Sequence, residues 1–190
     1  MTPDQLRLEE LLATLPKRSL QSTLFNIAHA YAWAADGSWD MLGSKEDADF
    51  AAPAITCQSF AIELLLKFFL AVDHPAAMTA HELASTGVKL MCHKYSDLFD
   101  QLLPATKEKI ANVFTTLSGK QTDGAGFRTV LIAQGDNPFV YWRYVYERNG
   151  YSHFDRQAFT LVTNALGKAA EAVRKANTFD GRSTVNATAV

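Results

Sequence analysis

Three polar residues in the last third of the chain have the types and spacing needed for chemistry on a phosphodiester. They are Arg148, Asn149 and His153, in the stretch "RNGYSH". A histidine can act as a general acid or base near neutral pH, and an arginine can hold a phosphate and stabilise its developing charge. Because RNA supplies its own 2′-hydroxyl as nucleophile, such a site needs no metal. The alternative is a charged loop between two helices, with His153 partly exposed.

The helix that follows this stretch affects the chemistry of the histidine. Ser152 and Asp155 stand three positions apart, as in a capping box, and the residues behind them have helical periodicity. If Ser152 caps this helix, His153 lies in its first turn. The helix dipole there disfavours an imidazolium ion and favours a nearby anion such as phosphate.

A second candidate site centres on Glu63 and Lys67, which are four positions apart. They are the only charged residues between Phe60 and Val72. A helix this apolar is predicted to be central in the fold, where a charge needs a partner. The pair therefore belongs either to a structural network or to a pocket.

Other polar residues have spacings that would let them join this pair. Arg143 and Glu147 have i,i+4 helical spacing, with Tyr144 between them. His93 stands four before Asp97, and we predict a histidine at a helix start that makes local hydrogen bonds; the alternative is that one short helix presents both side chains. A buried cluster of these groups would balance charge inside a bundle, and a second role for it would be to line a pocket. The predicted members are Glu63, Lys67, His93, Arg143, Tyr144 and Glu147.

Metal and cofactor sites are not predicted. The remaining histidines and cysteines match none of the usual zinc spacings. "SGKQTDGAG" contains Gly-Lys but lacks the order of a phosphate-binding loop. Two cysteines far apart in sequence are consistent with a reducing cytoplasm. Because Lys67 interrupts the longest apolar run, no membrane-spanning segment is expected.

The whole chain is predicted to be all-α, with no strand or hairpin pattern. Its 190 residues are typical of one domain. The net charge of -2 does not indicate that the protein as a whole attracts nucleic acid. We predict an up-and-down bundle of four to five main helices, built from residues 19–176. An N-terminal helix (1–18) precedes the bundle and a tail without periodicity (177–190) follows it.

Proline and small polar residues mark the predicted helix ends. One helix has Pro53 near its start and Pro75 after its end, another opens at Pro104, and a short one has Ser96 as its N-cap. A long helix is predicted from about residue 19, and Gly37 and Gly43 weaken its C-terminal end. Residues 74–92 are predicted to form a connection between helices. The last helix is predicted at about residues 153–176.

Four of these features, in this order, resemble the HEPN superfamily of small helical-bundle proteins. They are "FAIELLLKFFLAV", "HKYSDLFDQLL", "FVYWRYVYE" and "RNGYSH", the last of which is similar to the family's R-x(4–6)-H motif. The resemblance covers roughly residues 20–176. Gly150 within the motif departs from the helical form that active members tend to have, since glycine disfavours a helix.

The resemblance implies a homodimeric bundle and, for many members, a metal-independent endoribonuclease of toxin–antitoxin or phage-defence type. Arg148 would then contact the phosphate, His153 would be the acid and base, and Asn149 would position them. RNA would be the substrate, and an antitoxin a possible partner. Other members of the family are non-catalytic nucleotide-binding or protein-interaction modules, and here the buried polar cluster would be the site.

Overall fold

Helices form all the regular structure in residues 19–45, 48–143 and 155–183, which the computed structural model describes. The prediction of an all-α protein is confirmed. The helices are α1 (Leu20–Lys45), α2 (Ala51–Asp73), α3 (Ala80–Ser85), α4 (Tyr95–Asp100), α5 (Pro104–Ser118), α6 (Gly124–Ala133), α7 (Pro138–Arg143) and α8 (Arg156–Ser183). A 3-10 turn, Ala48–Phe50, precedes α2.

The centre of the molecule is α2, which contacts α1, α4, α7 and α8. Almost every side chain from Ala61 to Ala71 is buried, because neighbours cover this helix on several sides. A helix that is apolar nearly all round is stable in water only in such a position. Among the described residues, α2 is the one helix long and apolar enough to cross a membrane, and its burial identifies it as a core helix of the bundle.

The two longest helices, α1 and α8, pack beside α2. Gln21 at the start of α1 donates to the carbonyl oxygen of Ala71 at the end of α2, so these helices are antiparallel. Arg174, late in α8, donates to Asn26, early in α1, while Arg156 stacks over Trp39. The helices α1 and α8 are therefore antiparallel too.

A buried polar network fixes the register of these three helices. The indole nitrogen of Trp39 on α1 donates to the side-chain oxygen of Gln58 on α2 at 2.9 Å. The amide nitrogen of Gln58 donates to Thr163 on α8 at 3.1 Å. Since an amide has both donors and an acceptor, one glutamine can satisfy groups on two neighbouring helices.

The helices α4 to α6 form a second layer, and carboxylates from other parts of the chain cap two of its helix starts. Asp73, at the end of α2, accepts from the backbone of Leu103 and the hydroxyl of Thr106 at the start of α5. Asp136 accepts from the backbone and hydroxyl of Ser96 in α4. These bonds satisfy donors that have no partner within their own helix.

The prediction that Ser96 caps α4 is wrong. The helix begins at Tyr95, its N-cap is Lys94, and the Ser96 hydroxyl donates to Asp136 at 2.6 Å. The cap function therefore comes from a residue 40 positions away. The sequence around Ser96 does not indicate that a residue 40 positions away supplies the cap.

Several helix boundaries differ from those predicted. The first helix, α1, runs through Gly37 and Gly43 to Lys45, because packing against α2 outweighs the low helix propensity of glycine. The predicted connection 74–92 contains α3, which starts at a capping box of Thr79 and Glu82. The last helix, α8, starts at Arg156 and continues to Ser183, later at both ends than periodicity predicted.

The helix starts and ends marked by proline agree with the structure. The second helix, α2, extends from Ala51 to Asp73, with Pro53 in its first turn, and α5 begins at Pro104. At the other end of α5, Gly119 has a φ of 68°, a left-handed conformation that closes the helix and that glycine adopts without steric cost. The predicted inner face of α8, including Phe159, Val162 and Leu166, is buried.

Candidate functional site

The carboxylate of Glu63 lies in the middle of the core, with no exposed surface. Its oxygen Oε1 accepts a hydrogen bond of 2.6 Å from Nζ of Lys67, one turn further along α2. Nδ1 of His93 lies 3.1 Å from the same oxygen and 3.2 Å from Oε2. A buried carboxylate is tolerated when it is paired and hydrogen-bonded in this way. We call these three residues the Glu63 cluster.

Glu63 fixes the orientation of the His93 ring. Because a carboxylate accepts hydrogen bonds, Nδ1 must carry the proton that it donates, and Nε2 points to the opposite side. The side chain of His93 is 47% exposed, whereas that of Lys67 is 12% exposed. The cluster thus connects a buried charge to a surface imidazole that can accept a proton or donate one.

Cys92 and Asp97 lie next to the cluster. The Cys92 thiol donates to Oδ2 of Asp97 at 3.3 Å. Partial burial raises the pKa of this thiol and Asp97 raises it further, while a hydrogen bond to the backbone oxygen of Lys94 and, to a smaller extent, the positive charge of Lys67 lower it. The thiol is therefore kept in its protonated, weakly nucleophilic form near neutral pH.

Neither arrangement predicted for His93, local hydrogen bonds at a helix start or one helix shared with Asp97, agrees with the structure. His93 precedes α4, which begins at Tyr95, and Asp97 lies in the first turn of that helix. The two side chains have different partners, because the imidazole bonds to Glu63 on α2 and the carboxylate accepts from Cys92. The imidazole of His93 thus bonds across 30 positions instead of locally.

The other predicted members of the polar cluster cannot be placed in the same way. Arg143 is the last residue of α7, a helix that packs against α2, and only its backbone is described. Tyr144 and Glu147 lie outside the described residues. Of the six residues predicted for this cluster, the structure brings Glu63, Lys67 and His93 together.

The predicted catalytic residues Arg148, Asn149 and His153 also lie outside the described residues. The helix behind them is described from its first turn, where Oδ1 of Asp155 accepts from the backbone nitrogen of Ala158 at 3.0 Å. Asp155 thus caps a helix that begins at Arg156. The prediction that His153 lies in the first helical turn, with Ser152 as the cap, concerns residues outside those that the structure describes.

A groove between α1 and α8 was not predicted from the sequence. It encloses about 500 Å³, with Ala28, Leu65 and Thr163 among the residues of its wall. Trp33 on α1 also lines the groove, and 82% of its surface is exposed to solvent. Besides Thr163, the polar residues that line it are His29, Asp36, Asn164, Lys168 and Glu171. We call this feature the α1–α8 groove.

One sequence signal does point to this groove. Trp33 stands between Ala32 and Ala34, and its neighbours at helical spacing, Ala30 and Asp36, are small or charged. A tryptophan on the polar side of an amphipathic helix is therefore visible in the sequence. Its facing wall is not visible, because α8 lies more than 120 positions further along the chain.

The described residues contain no group of three histidine, cysteine, aspartate or glutamate side chains arranged to hold a metal ion. Comparisons with protein-family models, curated proteins and solved structures find no match to this chain. The resemblance to HEPN proteins therefore stays a prediction.

Proposed function

We propose that this chain is a HEPN-like helical module that binds an anionic group, such as the phosphate of a nucleotide, at the Glu63 cluster. The supporting observation is a fully buried carboxylate that holds two donors, one of which is half exposed. Lys67 and His93 bond to the same oxygen of Glu63, so one buried carboxylate positions both side chains. A cytoplasmic location and a homodimeric state belong to this proposal.

The chemistry of the cluster favours an anion. The ammonium of Lys67 retains donors beyond the one used by Glu63, and Nε2 of a protonated His93 provides another N–H. Hydrogen bonds from charged donors to phosphate are stronger than neutral ones. Glu63 holds the ring in place before the ligand arrives, so that less side-chain freedom is lost on binding.

The test compares two histidines. Adenosine monophosphate and inorganic phosphate are titrated into the protein while the histidine ring signals are followed by NMR. We expect the His93 signals to shift, and His93→Gln to weaken binding by about tenfold, the usual effect of losing one charged hydrogen bond. His81→Gln, on the exposed surface of α3, should bind as the wild type does. Equal affinity of the two variants would contradict the proposal.

As a second function, we propose metal-independent cleavage of RNA by Arg148 and His153, with Asn149 positioning them. The observation that favours it is the Asp155 cap, because "RNGYSH" leads into the amino end of the long helix α8. Such a helix end favours phosphate nearby. In this case RNA is the substrate, the homodimer brings two such sites together, and an antitoxin is the expected protein partner.

This second function is tested by RNA cleavage in excess chelator. We expect His153→Ala to lower the rate at least about 100-fold, as for loss of a general acid or base. The control is His81→Ala, which removes an exposed histidine from α3. Wild-type activity in His153→Ala would end the proposal and would leave the phosphate-binding proposal for His93 untouched.

A further inference from the structure

We infer that the α1–α8 groove binds a small organic cation with a planar apolar body. The groove is separate from the Glu63 cluster, since none of Glu63, Lys67 and His93 lines it. Its volume of about 500 Å³ lies within the range of small-molecule pockets. The inference stands independently of the functions proposed above.

The exposed indole of Trp33 is the first reason. Trp33 is 82% exposed, and in the described part of the chain its ring contacts no other ring and no cation. Among its neighbours in the bundle it therefore has no packing role that would explain such a large apolar side chain. The face of an indole attracts cations and stacks on planar groups, and tryptophan does so better than tyrosine or phenylalanine.

The charges of the groove are the second reason. Asp36 stands three positions after Trp33 on α1, so the two side chains share one side of the helix. Glu171 and Lys168 come from α8. Within the described ranges none of these three makes an ion pair, and two carboxylates against one ammonium leave the groove negative. A cation is attracted to this site and a free phosphate is not.

His29 is the third reason. Its ring lies 4.2 Å from that of Phe25, and its Nε2 is buried with no hydrogen-bond partner among the described residues. Buried polar atoms nearly always have a partner, and those that lack one in the protein call for another. Because Nε2 has almost no accessible surface, the ring of His29 must turn toward the groove before this nitrogen, in its unprotonated tautomer, accepts an N–H from a cationic ligand.

Gly167 provides a way to close the groove without disturbing the fold. It lines the groove, and a Cβ atom built on it meets nothing within 4 Å. A leucine at this position would therefore occupy the space of the ligand. Because Gly167 lies inside α8, replacing it also favours the helix. Loss of binding in Gly167→Leu, with unchanged or higher thermal stability, separates a blocked site from a damaged protein.

The experiment uses three probes of one shape and different charge: phenethylamine, phenylalanine and 3-phenylpropionate. Binding is followed by NMR at the indole N–H of Trp33, assigned with Trp33→Phe. We expect phenethylamine to bind, the zwitterion to bind more weakly and the anion not to bind. Failure of phenethylamine to shift this signal at millimolar concentration, or equal binding of 3-phenylpropionate, would overturn the inference.

Charge variants then test the assignment of the walls. Asp36→Asn and Glu171→Gln should each weaken phenethylamine binding about threefold to tenfold, and Lys168→Met should strengthen it. Asp40→Asn removes an exposed carboxylate of α1 outside the groove and should change nothing. Phenethylamine affinity that is the same in Asp36→Asn, Glu171→Gln and Gly167→Leu as in the wild type would also overturn the inference.

Discussion

Glu63 shows how strongly one side chain in this protein depends on its neighbours. Both of its carboxylate oxygens accept hydrogen bonds, and neither has any exposed surface. A buried ion pair contributes little net stability compared with apolar residues of the same size, whereas breaking it strands a charge. If Glu63 is replaced, the buried charge without a partner is that of Lys67, since only 12% of its side chain is exposed to solvent.

We therefore predict that Glu63→Leu lowers the free energy of unfolding by about 2–4 kcal/mol, because Lys67 loses its carboxylate. The double variant Glu63→Leu/Lys67→Met should recover most of this loss, since no charge is then left unpaired. Urea unfolding of the single and double variants measures the difference. A double variant that is no more stable than Glu63→Leu would show that the unpaired charge of Lys67 is not the cause of the loss.

At the scale of elements, helices are joined by side chains that reach from one to the next. Arg128 of α6 forms two hydrogen bonds of 2.7 Å with the carboxylate of Asp100, at the end of α4. Tyr95 of α4 is fully buried and donates to the carbonyl oxygen of Ser59 in α2 at 2.8 Å. The short helix α4 is thus attached on one side to α2 in the core and on the other side to α6.

The Asp100–Arg128 contact should make stability depend on pH. The hydrogen bond from Arg128 lowers the pKa of Asp100 below its usual value of 3.8. A carboxyl whose pKa is lower in the folded state stabilises the fold above its unfolded pKa, and this is lost as pH falls through the folded value. We expect Arg128→Met to lower Tm at pH 7 and to have a smaller effect near pH 2.

Thermal unfolding of the wild type and Arg128→Met at both pH values checks this prediction. High salt at pH 7 should also reduce the difference in Tm, since both side chains are partly exposed and their charges are screened. The control is Thr129→Ala, at the neighbouring exposed position of α6. A difference in Tm that stays the same from pH 7 to pH 2 would contradict the assigned pKa effect.

At the scale of the whole molecule, Gln58 joins the three helices that build the core. Its oxygen accepts from Trp39 on α1, and its nitrogen donates to Thr163 on α8. Gln58 and Thr163 are separated by 105 positions. Such a network fixes a single arrangement of helices whose apolar faces alone would tolerate some sliding.

We predict that Gln58→Leu destabilises the protein by about 1–3 kcal/mol, because it removes the acceptor of the buried Trp39 indole and a donor to Thr163. Chemical unfolding followed by tryptophan fluorescence measures this change. Gln157→Leu, at an exposed position of α8, is the matched control and should be nearly neutral. Equal effects of the two substitutions would mean that the network does not stabilise the fold.

Sequence reasoning succeeded where the signal is local. Pro53 and Pro104 mark helix starts because the ring of proline is tolerated only in the first turn. The apolar run of α2 identified the core helix, and the need of Glu63 for a partner followed from that burial. The inner face of α8 was visible from its 3.6-residue period.

The remaining features depend on residues that are far apart in sequence. His93 reaches Glu63 across 30 positions, and Asp136 caps α4 across 40. Both replace local bonds that the sequence favoured for His93 and Ser96. The α1–α8 groove arises from the packing of two helices, and periodicity within one helix carries no information about what faces it.

The late position of α8 has a consequence for the nascent chain. This helix supplies the buried Phe159, Val162 and Leu166 that cover the core, and it leaves the ribosome after the other described helices. Until then, α2 lacks part of its cover while having the hydropathy of a membrane span. Chaperones that bind apolar segments, or the machinery that inserts them into bilayers, would compete for it in that interval. Fast synthesis beyond residue 156 would therefore favour correct folding.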